Sequence, residues 1–132
     1  MAKAERFEDL EIWQKTRVLA EKIFDITHLP CFPKDFGYIS QINNAASSVI
    51  DNIAEGFKRN RRNEFIQFLR FAKGSAGEGR SQIHRGHDKI YFTPEVYKEL
   101  TEQIIKISKR LITFISTLNQ SIYKRAKFKD RV

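Results

Sequence analysis

The sequence has little of what marks secreted, membrane-spanning or redox-active proteins. Its 132 residues include one cysteine, Cys31, so an internal disulfide is excluded, which is typical of a reducing cytoplasm. No apolar run approaches the roughly 20 residues that cross a membrane, and the N-terminus lacks the apolar region of a signal peptide. We therefore expect a cytoplasmic protein without a membrane partner. Because Cys31 lies between Pro30 and Pro33, we interpret this stretch as a connector without redox or nucleophilic function.

Charge is abundant and unevenly distributed. Residues 1–56 contain 6 Lys and Arg against 9 Asp and Glu, a net charge of −3, whereas residues 57–132 contain 18 against 7, a net charge of +11. Hydrophobic residues make up 41% of the chain, which is enough for one domain with a single core. The basic excess of the second part indicates an acidic partner, chiefly nucleic acid.

Apolar residues recur every three or four positions and predict helices rather than strands. Thr93 suits the N-cap of the last helix and Pro94 its first residue, while Asp35 or Gly37 can begin the second. The predicted helices span residues 8–26, 38–58, 63–89 and 94–122. The inward face of the third helix is predicted to comprise Phe65, Leu69, Ala72, Ala76, Gly79, Ile83 and Ile90.

These helices predict an all-α fold, an antiparallel up-down-up-down four-helix bundle. We assign residues 1–122 to the bundle and residues 123–132 to a basic C-terminal tail.

A polar motif lies within the second helix and comprises Gln41, Asn52, Glu55 and Gly56. Asn52 and Glu55 are three residues apart and therefore share a helix face. We interpret them as hydrogen-bonding to other helices and fixing their register. The alternative is catalysis by Glu55 as a general acid or base, although no Ser–His pair, phosphate loop or metal set accompanies it. Gly56 lies near the helix end, where a left-handed glycine often closes a helix.

A basic cluster follows this motif, and two interpretations of it stay open. It can be an ordinary solvated surface, or it can bind phosphates. The residues predicted to contact nucleic acid are Lys58, Arg59, Arg61, Arg62, Lys73 and Arg80. The interleaved Phe57, Phe65, Phe68 and Phe71 fit the helix period, so we interpret them as packing residues, and no known RNA-binding module pattern is present.

Glycines and histidines in the third helix raise two further questions. Gly74, Gly77, Gly79 and Gly86 each weaken a helix by about 1 kcal/mol relative to alanine. They indicate either close packing against the second helix or a surface thinned for a subunit neighbour. His84 and His87 can share a face, but zinc needs at least three protein ligands, so we expect two exposed histidines, no metal and no cofactor.

Three motifs in order resemble one bacterial family. They are Phe7-x-Asp9-Leu10-x-x-Trp13-Gln14-Lys15, then Gln41-x-x-x-Ala45-Ala46-x-Ser48-x-x-x-Asn52-Ile53-Ala54-Glu55-Gly56-Phe57, then Glu64-Phe65-x-x-Phe68-Leu69-x-x-Ala72-x-Gly74-Ser75-x-x-Glu78. The chain resembles the four helix bundle protein family, also called the 23S rRNA intervening-sequence or S23 family, over roughly residues 6–118. It departs from the family at Asn43-Asn44, where basic residues are usual, and at Gly77 and Gly79, where larger residues are usual.

The resemblance implies cytoplasmic helical bundles that assemble as ring-like homopentamers and mostly lack an established activity. A related branch, the accessory proteins of diversity-generating retroelements, is basic and binds RNA and a reverse transcriptase. We therefore expect a non-catalytic oligomer that binds RNA, DNA or a ribonucleoprotein such as one containing a reverse transcriptase. The alternatives are a structural or protein-interaction scaffold without a nucleic-acid role, and an enzyme acting through Glu55.

Overall fold

The computed structural model describes the backbone of residues 4–129 and the side chains of residues 4–120, and this part of the chain contains helices and no strand. A short 3-10 turn, Phe7–Asp9, precedes four α-helices. They are α1 (Glu11–Thr27), α2 (Phe36–Lys58), α3 (Arg62–Asp88) and α4 (Pro94–Lys129). No helix in the described range is long and apolar enough to span a membrane.

Two predicted N-caps are present. The Asp35 carboxylate accepts a hydrogen bond of 3.2 Å from the Tyr38 amide, and the Thr93 hydroxyl accepts one of 3.2 Å from the Val96 amide. Pro94 is the first residue of α4, where its missing N–H group leaves no helical hydrogen bond unmade. The predicted N-cap Thr93 is therefore confirmed, and of the two residues considered for the start of α2, Asp35 is the N-cap and Gly37 lies within the helix, which begins two residues before the predicted Tyr38.

Neighbouring helices run antiparallel, as side-chain contacts between their ends show. Tyr38 near the start of α2 donates to the Gln82 carbonyl near the end of α3, at 2.7 Å. The rings of Phe65 and Phe114 meet between the start of α3 and the later part of α4, at a centroid distance of 5.3 Å. Helix α1 packs on α2 and α4, and α3 packs on the same two helices, which is consistent with the predicted four-helix bundle.

The core lies where the predicted apolar stripes of the four helices meet. Ile53, Leu69, Leu100 and Leu111 are fully buried. Thr16 is buried as well, and its hydroxyl donates to the Ile12 carbonyl at 2.7 Å, so its polar group is satisfied. The apolar period therefore located most of the core, while the buried threonine was not predicted.

Three predictions about the helix ends were inaccurate. Helix α1 starts three residues late, because Leu10 is extended and separates it from the 3-10 turn. Ile90 is 87% exposed, since α3 ends at Asp88 and Ile90 has a positive φ of 61°. Helix α4 passes the proposed boundary at residues 122 and 123 and continues to Lys129. The side chains of the tail from 123 and all of residues 130–132 lie outside the described part.

Gly56 is a packing residue and not the predicted helix cap. It lies inside α2, has no positive φ, and a Cβ there would meet the Phe68 Cβ at 2.6 Å. Asn60, with φ of 56°, makes the left-handed turn after the helix. A Cβ at Gly86 would likewise overlap the Tyr38 hydroxyl and the Phe92 ring. Glycines thus allow α2 and α3 to approach closely at both of their paired ends.

The remaining α3 glycines differ in whether packing within the chain explains them. A Cβ at Gly79 would lie 2.9 Å from Ile104 on α4, so this glycine serves packing within the chain. Gly74 and Gly77 face open space, with no described atom within 4 Å of an added Cβ. Packing inside one chain therefore does not explain Gly74 and Gly77.

We predict opposite stability effects for two Gly→Ala changes. Gly56→Ala should lower the free energy of unfolding by about 1–3 kcal/mol, because the new methyl group overpacks against Phe68. Gly77→Ala, the matched control, should raise it by roughly 0.5–1 kcal/mol, because the position is helical and open. Urea unfolding followed by circular dichroism measures both. Equal effects of the two changes would contradict the packing role of Gly56.

Candidate nucleic-acid interface

The connection between α2 and α3 concentrates positive charge at one end of the bundle. We call residues 58–62 the basic connection; Lys58 ends α2 and Arg62 begins α3. Lys58, Arg59 and Arg61 are exposed, and Arg62 is half-buried. Gly56 permits α2 and α3 to pack closely just before this connection. The cations of the basic connection therefore lie at the end of the bundle and not in the core.

Arg59 contributes less free charge than predicted. Its Nε lies 3.1 Å from Glu55 Oε1, and its guanidinium lies 5.1 Å from the centre of the Phe68 ring. Glu55 is exposed and one turn before Arg59 on the same helix. The prediction that Glu55 hydrogen-bonds other helices was therefore wrong. Val49, Ile53 and Gly56 form the buried line of α2, and Glu55 lies about 200° from Ile53 around the helix axis.

Lys73 and Arg80 extend the positive surface along α3. They follow Arg62 by 11 and 18 residues, close to whole numbers of helical turns, so the three lie along one line of the helix. Arg80 is therefore about 27 Å from Arg62 along the axis. Arg70 is one turn before Lys73, and Gly77 lies between Lys73 and Arg80 on the same exposed side. We call Arg70, Lys73 and Arg80 the α3 basic stripe.

Four of the six predicted cations form no ion pair with a described residue. Within residues 4–120, the ion pairs involve none of Lys58, Arg61, Lys73 or Arg80. All four side chains are exposed. Of the six predicted residues, four lie in the basic connection and two, Lys73 and Arg80, lie further along α3. Arg59, in the basic connection, is paired with Glu55.

Hydrogen bonds near the polar motif link α2 to α3, and only some of the residues that make them were predicted from the sequence. Asn52 Nδ2 donates to the Ser48 carbonyl at 2.8 Å and contacts the Ser48 hydroxyl at 3.1 Å. That hydroxyl is 2.8 Å from the Ser75 hydroxyl on α3. Gln41 Oε1 accepts a hydrogen bond of 3.2 Å from Gln82 Nε2. Asn52 therefore orients Ser48, and the Ser48–Ser75 contact makes the link expected of Asn52 and Glu55.

A second polar network stabilises the end of the bundle opposite the basic connection. The Tyr91 hydroxyl donates to Asp35 Oδ2 at 2.7 Å, and Lys89 Nζ lies 3.4 Å from the same oxygen. The Tyr91 hydrogen bond is the main cause that lowers the pKa of Asp35, and the same bond raises the pKa of Tyr91. Burial raises the pKa of Tyr38. The shifts of Asp35 and Tyr91 arise from the hydrogen bond that connects the α3–α4 loop to the start of α2.

The two histidines contact an aromatic residue of α4. His84 Nδ1 is 2.7 Å from the Tyr97 hydroxyl, and the His87 ring stacks on Tyr97 at 3.8 Å. Among the described residues, no group of three or more His, Cys, Asp and Glu side chains could hold a metal ion. These contacts give both histidines a packing role between α3 and α4.

Comparison with known proteins finds a matching family model and similar solved structures. A family model described as 23S rRNA-intervening sequence protein matches residues 8–113. One similar crystal structure is that of a protein with unknown function from the S23 ribosomal protein family of Bacteroides thetaiotaomicron VPI-5482. It is 26% identical with a TM-score of 0.74, and the match covers 80% of this chain and 95% of that chain. No curated protein matches.

We predict that Glu55 contributes little to stability. Glu55→Ala should change the free energy of unfolding by less than about 0.5 kcal/mol, because an exposed ion pair within one helix is weak. Ser75→Ala, the control, removes the link to Ser48 and should cost about 0.5–1.5 kcal/mol. Urea unfolding compares the two variants. A larger loss in Glu55→Ala than in Ser75→Ala would contradict this assignment.

Proposed function

The chain belongs to the 23S rRNA-intervening sequence protein family, and from that premise we propose that it is a non-catalytic, oligomeric protein that binds RNA through its basic surface. The observation that carries this proposal is that Lys58, Arg61, Lys73 and Arg80 are exposed and form no ion pair within residues 4–120. Such cations attract phosphates without distinguishing bases, so binding should tolerate many sequences. The partner would be RNA, DNA or a cytoplasmic ribonucleoprotein, including one that contains a reverse transcriptase.

Glu55 has an electrostatic role in this proposal. Its carboxylate neutralises Arg59 and so removes one cation of the predicted set from the positive surface. A general base would need a raised pKa and a substrate proton within hydrogen-bond reach. Its exposure and its bond to Arg59 favour tuning of the positive surface over catalysis.

We propose further that the chain forms a ring-like homo-oligomer of five copies. The supporting observations are exposed apolar side chains on α3 and α4 and a stretch of α3 backbone that no side chain covers. Phe71 and Ile112 are each 49% exposed, and Gly74, one turn after Phe71, has no described atom within 4 Å of an added Cβ. A second copy can approach the α3 backbone closely at such a place. Arg70 and Lys73 would then lie at the rim of the contact.

A protein-interaction scaffold without a nucleic-acid role is the second candidate. It is favoured by exposed apolar side chains at the end opposite the basic connection. Phe36 is 72% exposed and Ile90 is 87% exposed, and the Asp35–Tyr91 hydrogen bond brings their segments together. Apolar surface at a bundle end can bind a protein partner.

Light scattering tests the oligomer. We predict a mass close to five times the chain mass of 15.5 kDa at micromolar concentration. Phe71→Glu should lower the mass, because a charge would be buried in the contact. Phe36→Glu, an equally drastic change at the opposite end, should leave it unchanged. A wild-type protein with the mass of a single chain would disprove the ring.

Fluorescence anisotropy with labelled single-stranded RNA tests the basic surface. Changing Arg61, Lys73 and Arg80 together to Ala should weaken binding to all sequences alike. It should also reduce the salt-dependence slope by about 0.7 for each phosphate that the variant no longer neutralises. Glu55→Gln should strengthen binding, because it frees Arg59.

A charge-matched control variant distinguishes RNA binding at a defined site from attraction by the net positive charge of the protein. Lys98, Lys106 and Lys109 are exposed on α4, so changing all three to Ala removes the same charge elsewhere. We expect this variant to bind RNA nearly as well as the wild type. Equal losses in both triple variants would contradict a defined site, and no wild-type binding at ~50 mM salt would favour the scaffold.

A further inference from the structure

A pocket of about 600 Å³ opens beside the basic connection, within the roughly 300–1,000 Å³ typical of ligand sites. Its apolar lining comes from all sides of the bundle end. Leu10 follows the N-terminal 3-10 turn, Phe57 lies near the end of α2, Phe65 lies in the first turn of α3, and Phe114 and Leu118 lie on α4. The pocket thus exists only because these segments meet at this end.

The aromatic lining is only partly used by packing within the chain. Phe57 meets Phe65 edge to face at a centroid distance of 5.9 Å, and Phe65 meets Phe114 in the same manner at 5.3 Å. All three rings are half-buried, so part of each aromatic surface remains open. These rings therefore serve packing, as predicted for Phe57 and Phe65, and also present an apolar surface to the pocket.

Positive charge lies at the mouth of the same pocket. Arg61 and Arg62 line it, and Glu5 is the one acidic residue among its described lining. Arg61 is the N-cap of α3 and makes no side-chain cap hydrogen bond, so the positive end of the helix dipole adds to the charge of the Arg61 guanidinium. An apolar interior with a positive mouth is complementary to a flat, apolar group that carries an anion.

We propose that this pocket receives one unstacked base of a single-stranded RNA, with the adjoining phosphate on Arg61. This inference rests on the proposed RNA-binding function and specifies which form of RNA the site prefers. Aromatic side chains bind any base through its flat face, so the pocket adds affinity without adding sequence preference. Bases in a duplex are paired and stacked, so they cannot enter.

The charge at the mouth decides between RNA and other occupants. An acidic peptide with an aromatic side chain would also present a ring and a negative charge. In RNA, however, every nucleotide has a phosphate close to its base. The α3 basic stripe can bind the further phosphates of the same strand. We therefore assign the pocket to RNA, and the peptide becomes an outcome of the test.

The test compares three probes with the wild-type protein by fluorescence anisotropy. They are a ten-nucleotide RNA, the same strand with abasic residues in place of its central nucleotides, and the RNA duplex of that sequence. We expect the abasic strand and the duplex to bind about tenfold more weakly than the intact strand, as the loss of a stacked base requires. This comparison needs no variant, so a folding defect cannot obscure it.

A pocket-filling variant then locates the effect. Leu118→Trp replaces an aliphatic side chain by a larger indole ring that fills the pocket, and it should reduce binding of the intact strand to that of the abasic strand. Thr117→Trp is the matched control, because Thr117 is exposed, neighbours Leu118 on α4 and is absent from the pocket lining. It should bind all three probes as the wild type does.

The outcomes separate this inference from the proposed function. Equal binding of intact and abasic strands, unaffected by Leu118→Trp, would overturn the base pocket and leave phosphate binding in place. Failure of all three probes to bind would overturn both proposals. Binding of a labelled peptide of Asp and Phe residues that Leu118→Trp abolishes, with intact and abasic RNA binding alike, would assign the pocket to a protein partner.

Discussion

The close approach of α2 and α3 is the constraint on which the rest of this structure depends. Gly56 and Gly86 leave no room for even a methyl group, so these glycines allow the helices to lie together at both of their paired ends. Between them the Ser48–Ser75 and Gln41–Gln82 hydrogen bonds connect the two helices. Helices α1 and α4 complete the core by packing against this pair.

The same constraint determines where the charge lies. Two antiparallel helices that meet closely at their ends need a short connection, and here that connection consists largely of Lys and Arg. Charged groups are costly to bury without a partner, so these side chains remain at the surface. Seven of the 18 Lys and Arg residues of positions 57–132 therefore lie in the basic connection at one end of the bundle and in the α3 basic stripe, and this arrangement supports the proposed binding of RNA.

The sequence predicted the helices well because apolar spacing and N-cap chemistry are local properties. Asp35 and Thr93 start helices through contacts three residues away, which a sequence displays directly. Gly56 was misassigned because the ring that excludes its Cβ belongs to another helix. Glu55 was misassigned because its three-residue spacing from Asn52 says nothing of its position relative to Ile53, and helix geometry places Glu55 about 200° from that buried residue. The pocket was not predicted at all, since its lining comes from four segments of the chain.

Hydrogen–deuterium exchange with and without single-stranded RNA tests the central claim most directly, because it locates the bound surface on the intact protein. We predict that RNA slows exchange in peptides spanning residues 54–66 and 69–82. Peptides spanning residues 28–38 and 86–93, at the opposite end of the bundle, should exchange at unchanged rates. Slower exchange confined to that opposite end, while RNA is bound, would contradict RNA binding at the basic connection and the α3 basic stripe.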